Sequence, residues 1–290
     1  MTHHSSARLK NHVLAALPDA EWRLMEPHLK WVELPLGAML YEAGVVLRQV
    51  YFPVTAIVSL VSSMKDGASA EVAVVGNEGV VGVCAFLGGG RALSGAVVQS
   101  AGHAFQMTAE SIACHAWQSE PVMQQLLRYT QALFTHMAQT SACNRHHVLD
   151  QKLCRWLLLN LDRRDGNEMI VTQEKIADML GVRRGGVTAS ALKLQKAGLI
   201  QYHRGRVSVL DRAGLEARSC ECYSVVRQAY DRLWASAAMH WHGSGPARRI
   251  RSNQAGHRGR DGAVDRGRDA GSSAIAHLAY GRPVPLTRAG

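Results

Sequence analysis

Two different spacings of hydrophobic positions divide the 290-residue chain into regions. Residues 9–28 repeat apolar positions every three or four residues, which predicts short helices with a break at Pro18-Asp19. Residues 30–118 instead hold short runs rich in Val, Ile, Leu and Tyr, separated by turn signals such as Gly76-Asn77-Glu78-Gly79. Short, regularly spaced strands of this kind predict a β-sandwich or β-roll of about eight strands.

Apolar spacing of three and four residues returns at Pro121 and predicts a long helix, followed by a shorter one over 151–162. The seam of about four heptads comprises Val122, Leu126, Tyr129, Leu133, Met137, Thr140, Asn144 and Val148. One interpretation is a helix packed on its own β-roll, and the other is a two-stranded coiled-coil dimer. We favour the dimer, with contact residues Leu126, Tyr129, Leu133, Met137, Thr140 and Asn144.

The pattern between Thr172 and Leu210 predicts two helices followed by a hairpin. Thr172 is a typical helix N-cap residue, and the first helix ends at Gly181. A second helix begins near Arg183, and the hairpin that follows turns at Arg204-Gly205. Two helices joined by a short turn and followed by a basic hairpin describe a winged helix-turn-helix, which places its second helix in the DNA major groove.

The basic and polar residues of this segment are candidates for DNA contact. Arg183 and Arg184 stand at the start of the second helix, where arginine can pair bidentately with guanine. Backbone N–H groups at Thr172 and Gln173 can hold a phosphate at a helix N-terminus. We predict the DNA-binding residues to be Thr172, Gln173, Arg183, Arg184, Thr188, Lys193, His203, Arg204 and Arg206.

The formal charge of +10 is concentrated where this motif lies. Residues 1–149 carry nine Lys and Arg against ten Asp and Glu, whereas residues 150–233 carry fifteen against ten. Residues 234–290 carry nine Arg and three Asp and are rich in Gly, Ala and Ser, which predicts a disordered basic tail. The tail also fits a non-native C-terminus, so we place no function in it. The charge distribution favours a nucleic-acid partner for the second half of the chain.

The composition argues against several classes of protein. The chain has no run of about 18 apolar residues, and its N-terminus has no apolar signal core, so neither a membrane span nor secretion is expected. Six irregularly spaced cysteines do not form a disulfide framework. We therefore expect a cytoplasmic protein with free thiols and no membrane partner.

The motifs resemble those of Crp/Fnr-type bacterial transcription regulators. The resemblance covers residues 9–233 and rests on Pro35-Leu36-Gly37, Leu40, Gly44, Tyr51-Phe52-Pro53 and the stretch from Ile176 to Thr188. It implies a homodimer that binds a palindromic promoter site in double-stranded DNA, with RNA polymerase as a further partner. It also implies that a β-roll reports a signal to the DNA-binding helices.

Pattern and resemblance together give a domain plan for this α+β chain. The plan places a sensor β-roll of the double-stranded β-helix or jelly-roll type, similar to a cyclic-nucleotide-binding domain, at 9–118. A dimerisation helix follows at 119–149 and a winged helix-turn-helix at 150–233, with the disordered basic tail at 234–290.

The predicted recognition helix departs from the family pattern. The best-known members carry a Ser-Arg-Glu-Thr-Val-x-Arg run, and the matching run here is Arg183-Arg184-Gly185-Gly186-Val187-Thr188-Ala189. Arg184 matches the first specificity arginine, whereas Gly185 replaces the base-reading glutamate and Ala189 the last arginine. Each glycine weakens a helix by ~1 kcal/mol relative to alanine. We expect a different target sequence, and we keep open a degenerate regulator that acts as a dimeric protein-interaction module with weak or non-specific DNA binding.

The predicted effector pocket departs as well. Cyclic-nucleotide binders hold the ribose with Gly-Glu-Leu and the phosphate with Arg-Ser/Thr-Ala, and the matching residues here are Gly82, Val83, Cys84, Leu93 and Ser94. Val83 thus replaces the ribose carboxylate and Leu93 the phosphate arginine, while Arg91 reaches the site only after a register shift. A buried phosphate without a charge partner is strongly disfavoured. We therefore expect no tight binding of cAMP or cGMP.

Two groups of possible metal ligands lie outside these motifs. They are Cys143, His146 and His147 with His136 on the long helix, and Cys220 with Cys222 near the C-terminal part. The first group has helical spacing for a metal site but no second cysteine close by in sequence. The second group could be a redox pair or half of a metal site, but it lacks a partner pair. We interpret both as packed or solvated residues and predict no metal site.

Enzymatic chemistry has little support in the sequence. A cupin-like metal enzyme needs a His-x-His motif, and residues 30–118 contain only two isolated histidines. An iron–sulfur sensor needs clustered cysteines, which the N-terminal region lacks. We predict a protein that is not an enzyme, with no catalytic residues and no cofactor.

Overall fold

Residues 30–108 fold into a β-roll of seven antiparallel strands. The computed structural model describes residues 7–240, and the side chains of residues 7–233. The strands are β1 (Lys30–Leu34), β2 (Met39–Tyr41), β3 (Gln49–Pro53), β4 (Ile57–Ser63), β5 (Ser69–Val75), β6 (Gly95–Ser100) and β7 (Gly102–Thr108). One sheet has the order β1-β7-β3 and the other the order β2-β6-β4-β5. The jelly-roll-like fold predicted for this region is confirmed.

Two strands of the roll, β3 and β4, are buried on both faces. Strands β3 and β4 carry uninterrupted buried stretches, with Phe52, Ile57 and Val58 fully buried. Such runs fit strands covered on one face by the opposite sheet and on the other by helices. The backbone at Gly102 lies so close to the backbone before β4 that only glycine fits there. A Cβ at Gly102 would lie 2.5 Å from the backbone nitrogen of Ala56.

Helices flank the roll in sequence on both sides. Before it lie α1 (His12–Ala15), α2 (Asp19–Met25) and a 3-10 turn at Glu26–His28; after it come α3 (Ala109–Gln118), α4 (Glu120–His146) and α5 (Leu149–Leu161). Helix α2 begins directly after Pro18, as its sequence predicts. Helix α4 ends before the last seam residue, Val148, which is exposed between α4 and α5.

The predicted seam of α4 faces its own chain. Leu126, Tyr129, Leu133 and Thr140 are each no more than 5% exposed, and Met137 and Asn144 are half-buried. They lie on the helix that packs against β5 and against α9 (Glu221–His240), where the rings of Tyr129 and Tyr230 are 6.4 Å apart. Intrachain packing therefore covers this stripe, which corrects its assignment as the dimer contact.

The C-terminal part is a small helical domain with a three-stranded sheet. Its elements are β8 (Glu168–Ile170), α6 (Gln173–Leu180), α7 (Arg184–Lys196), β9 (Ile200–His203), β10 (Arg206–Val209), α8 (Arg212–Arg218) and α9. The sheet order is β8-β10-β9. Helix α9 continues to His240, so residues 234–240 are helical rather than part of the predicted tail. The rest of that tail prediction lies outside the described residues.

Two buried contacts connect the β-roll to the helices that follow it. Arg163 donates from Nε to Glu78 Oε1 at 2.7 Å, and both side chains are less than 10% exposed. Trp156 donates from Nε1 to Glu71 Oε1 at 3.0 Å.

No helix within residues 7–240 has the length and apolarity needed to cross a membrane.

Candidate nucleic-acid interface and sensor pocket

Helices α6 and α7 meet at a tight turn whose geometry follows from its capping residues. The Thr172 hydroxyl accepts a hydrogen bond from the Lys175 N–H at 3.1 Å and begins α6. Gly181 adopts a left-handed conformation (φ +63°) and ends α6, so the chain reverses into α7. Val187 and Leu194 bury one face of α7, and the N-terminal end of that helix stays exposed.

Four of the predicted DNA contacts lie on exposed tips. Arg183 and Arg184 are exposed at the start of α7, and His203 and Arg204 are exposed on the hairpin between β9 and β10. Arg204 (φ +46°) and Gly205 (φ +77°) are both left-handed, as a two-residue hairpin loop of type I′ requires. Across the described residues, no carboxylate forms an ion pair with Arg183, Arg184 or Arg204.

Other predicted contacts bind to their own domain. Lys193 Nζ lies 2.9 Å from Asp150 Oδ2, and Arg206 Nη1 lies 2.7 Å from Glu168 Oε2. Hydrogen bonds from Ser190 and Lys193 hold the pKa of Asp150 below its usual value, and the Arg206 hydrogen bond does the same for Glu168.

A polar contact also joins the two helices of the motif. The Thr188 hydroxyl donates to Gln173 Oε1 at 2.6 Å and ties α7 to α6. Thr188 and Gln173, which the sequence proposed as DNA contacts, therefore help to fix the angle at which α7 is presented.

The two glycines of α7 have different surroundings. A Cβ at Gly185 would point into open space, whereas a Cβ at Gly186 would lie 2.8 Å from the Leu149 side chain of α5. Gly186 thus permits close packing of α7 on α5. Gly185 has no packing role in this structure, so a side chain at this position would meet no steric obstacle.

The residues of the predicted effector pocket are mostly uncharged, and they do not all face the interior of the roll. Gly82 is left-handed (φ +103°) and begins the turn that buries Val83 and Cys84. Ser94 is buried, but Leu93 is 69% exposed and does not line an interior cavity. The exposed Arg91 guanidinium donates to the carbonyl oxygen of Gly44 at 2.9 Å. Among the matched positions, Val83 and Leu93 carry no charge, and the Arg91 guanidinium is bound to the Gly44 carbonyl.

Glu71 is a buried acid that the sequence analysis did not identify. Its carboxylate accepts hydrogen bonds from the Ser59 hydroxyl at 2.5 Å and from the Trp156 indole at 3.0 Å. Burial raises the pKa of Glu71 to about 7, although those hydrogen bonds and the charge of Arg155 oppose the rise. The acid therefore lies where the roll meets α5, and its alternation with apolar neighbours in β5 was the only signal in the sequence.

Comparison with known proteins gives matches to both halves of the chain. The cyclic nucleotide-binding domain family matches residues 31–113, and the Crp-like helix-turn-helix domain family matches residues 151–218. No curated protein sequence matches the chain.

Several solved structures share the fold. FixK2 from Bradyrhizobium japonicum has 17% identity over 66% of this chain and 98% of its own, with a TM-score of 0.57. A putative Crp/Fnr-family transcriptional regulator from Eubacterium rectale has 17% identity, covers 71% and 96% of the two chains, and has a TM-score of 0.56. A CRP-family transcriptional regulator from Thermus thermophilus has 22% identity over 65% and 96%, with a TM-score of 0.54.

Proposed function

The chain belongs to the Crp/Fnr type of transcription regulators, and from this premise we propose that it is a homodimeric, sequence-specific DNA-binding regulator of the cytoplasm. The observation that carries the proposal is the exposed N-terminal end of α7, where Arg183 and Arg184 stand. The exposed Arg204 on the β9–β10 hairpin, the wing of the winged helix-turn-helix, adds to it. Arginine at this end of a recognition helix can read guanine, and arginine on a wing can bind phosphate. RNA polymerase is the partner through which a promoter-bound regulator would act.

An exposed stripe of α4 supports a dimer through a different face from the one that the sequence predicted. Positions separated alternately by four and three residues are all exposed: Glu120, Gln124, Leu127, Gln131, Phe134, Ala138, Ser141 and Arg145. Leu127 is 47% and Phe134 50% exposed. This spacing is that of a coiled-coil seam, so a second copy of α4 is the occupant we propose.

The β-roll serves, in this proposal, as a sensor that does not bind cAMP or cGMP tightly. The support is that Val83 and Leu93 stand at the positions matched to the ribose carboxylate and the phosphate arginine, and that Leu93 is exposed. An uncharged or weakly charged effector, or a signal transmitted through protein contacts, fits the neutral pocket better than a phosphate does.

The decisive experiment is selection of bound sequences from random duplex DNA by the full chain at about 150 mM salt. A palindromic motif is expected, and its half-site spacing would report the separation of the two recognition helices. Binding without an enriched motif, or no binding even with cell extract added to supply an effector, would contradict sequence-specific recognition and favour the protein-interaction module.

The dimer has a separate test. Phe134→Glu would place two carboxylates opposite each other across the proposed seam and is expected to give a monomer in sedimentation analysis. Leu24→Glu, at a 61% exposed position of α2, is the matched control and should leave the assembly unchanged. A Phe134→Glu chain that stays dimeric would exclude this face.

A further inference from the structure

Four potential metal ligands converge where the long helix ends. Cys143 and His147 lie at the C-terminal end of α4, and Cys220 and Cys222 lie between α8 and the first turn of α9. Their ligand atoms all lie within 4.8 Å of one another, although 77 residues separate Cys143 from Cys220. The three cysteines are buried and His147 is half-buried.

The distances within this cluster suit a single tetrahedral ion. Cys143 Sγ and Cys220 Sγ are 3.5 Å apart, and Cys222 Sγ is 3.4 Å from His147 Nδ1. A tetrahedral ion with metal–sulfur bonds of about 2.3 Å separates its ligand atoms by roughly 3.8 Å. The cluster therefore needs only small side-chain adjustments to surround one ion, and it leaves no room for the bridging sulfides of an iron–sulfur cluster.

Surrounding residues orient the ligands. Glu221 Oε1 lies 3.3 Å from His147 Nε2, so the carboxylate holds the ring with Nδ1 towards the thiols. Gln139 donates from Nε2 to Cys222 Sγ at 3.1 Å. A carboxylate on the outer nitrogen of a histidine ligand and a hydrogen bond to a ligand sulfur are recurrent features of metal sites.

We propose that Cys143, His147, Cys220 and Cys222 bind one zinc ion as a closed structural site. Thiolate and imidazole ligands in tetrahedral geometry select zinc over harder divalent ions, and four buried or half-buried protein ligands leave no open position for catalysis. The thiols that bind as thiolates release their protons to solvent as the ion binds.

The bound ion would cross-link the segments that precede and follow the DNA-binding domain. The two ligand pairs enclose the entire match to the Crp-like helix-turn-helix domain, residues 151–218. An ion at this point would hold the junction of α8 and α9 against the end of α4. Zinc would thereby fix the position of the helix-turn-helix relative to the long helix, whichever DNA sequence that motif binds.

Metal analysis of the purified full chain tests the proposal. About one zinc ion per chain is expected from zinc-supplemented growth, and Cys222→Ser should lower that ratio at least about tenfold. Cys114→Ser removes an exposed cysteine outside the cluster and should leave the ratio unchanged. Wild-type chain that contains no zinc, and takes none up after reduction, would overturn the proposal.

A second measurement separates metal binding from a disulfide and does not depend on variants that fold poorly. Wild-type chain stripped by a chelator and titrated with Co²⁺ should develop the intense visible absorption of a tetrahedral thiolate site, which added Zn²⁺ displaces. His147→Ala should weaken that spectrum, because a metal needs the imidazole. A mass lower by two hydrogens, with no metal and no effect of His147→Ala, would instead show a disulfide, and peptide mapping that places it between Cys143 and Cys220 would refute the zinc site.

Discussion

The β-roll and the helix-turn-helix use charge in opposite ways. In the roll, the acids Glu71 and Glu78 are buried, and the positions that match the family's ligand-binding charges are Val83 and Leu93. In the helix-turn-helix, arginines such as Arg184 are exposed. The contrast is between acids that are buried in the roll and arginines that are exposed on the proposed DNA-binding surface.

The buried acids of the roll instead hold the second half of the chain. Glu78 pairs with Arg163, and Glu71 accepts the indole hydrogen bond of Trp156. Trp156 lies in α5 and Arg163 directly after it, so these two buried acids of the roll contact the second half of the chain. Four sets of variants test this difference between the two regions.

The strongest destabilisation is expected from Arg163→Ala. Removing the guanidinium leaves the Glu78 carboxylate buried without its partner, which should lower the free energy of unfolding by about 3–5 kcal/mol. Chemical denaturation measures the change. The double variant Arg163→Ala with Glu78→Ala should recover part of the loss, because no unpaired charge is then buried. A loss below about 1 kcal/mol in the single variant would mean that the pair contributes little to joining the regions.

The free energy of unfolding is expected to fall by roughly 3 kcal/mol as the pH rises, because of Glu71. Its pKa is raised to about 7 in the folded chain, so folding favours the protonated carboxyl. That contribution is complete below the ordinary pKa of 4.5 and is lost as the pH rises through about 7. Unfolding free energies measured at about pH 5 and pH 8 should therefore differ less in Glu71→Gln than in wild type. Glu110→Gln, at an exposed position, should keep the wild-type dependence.

For DNA binding, Arg184→Ala is expected to weaken affinity for the selected site by about 10- to 100-fold, which corresponds to about 1–3 kcal/mol for a lost guanine contact. Arg23→Ala removes the same charge from exposed α2 and should have little effect. Equal losses in both variants, measured by fluorescence anisotropy at one salt concentration, would reduce the role of Arg184 to general electrostatics.

The smallest expected change in the free energy of unfolding comes from alanine substitutions at the two glycines of α7. Gly185→Ala should raise the free energy of unfolding by up to about 1 kcal/mol, because alanine favours the helix and its Cβ meets open space. Gly186→Ala should gain less or destabilise, since its Cβ would require the Leu149 side chain to move. Thermal unfolding of both variants checks the order, and a larger gain at 186 would contradict the packing described above.

Local patterns predicted most of the fold. Strand-like runs, the Thr172 cap, Gly181 and the Arg204-Gly205 turn each depend on neighbouring residues, and the structure contains the corresponding elements. The seam of α4 was harder to assign, because helical spacing identifies a stripe but not what covers it. The apolar residues of that stripe fit an intrachain core as well as a dimer, and α9 covers them.

Long-range contacts account for what the sequence analysis missed. The group around Cys143 and the pair Cys220 and Cys222 each looked incomplete, because 77 residues separate Cys143 from Cys220. The sequence shows Glu71 only as an acid among the apolar residues of β5, and its hydrogen-bond donor Trp156 lies 85 positions away. The sequence shows that Val83 and Leu93 stand where the family carries charged residues, but only the structure places Leu93 at the surface.

The position of α9 has a consequence for synthesis of the chain on the ribosome. Tyr230 packs beside Tyr129 and His136, so the last described helix completes a core that begins about 100 residues earlier. At translation rates of about 5–20 residues per second, roughly 5 to 20 seconds pass between the appearance of Tyr129 and that of Tyr230. During this interval the part of the α4 stripe that α9 later covers is exposed, and the nascent chain offers this apolar surface to chaperones and to neighbouring nascent chains.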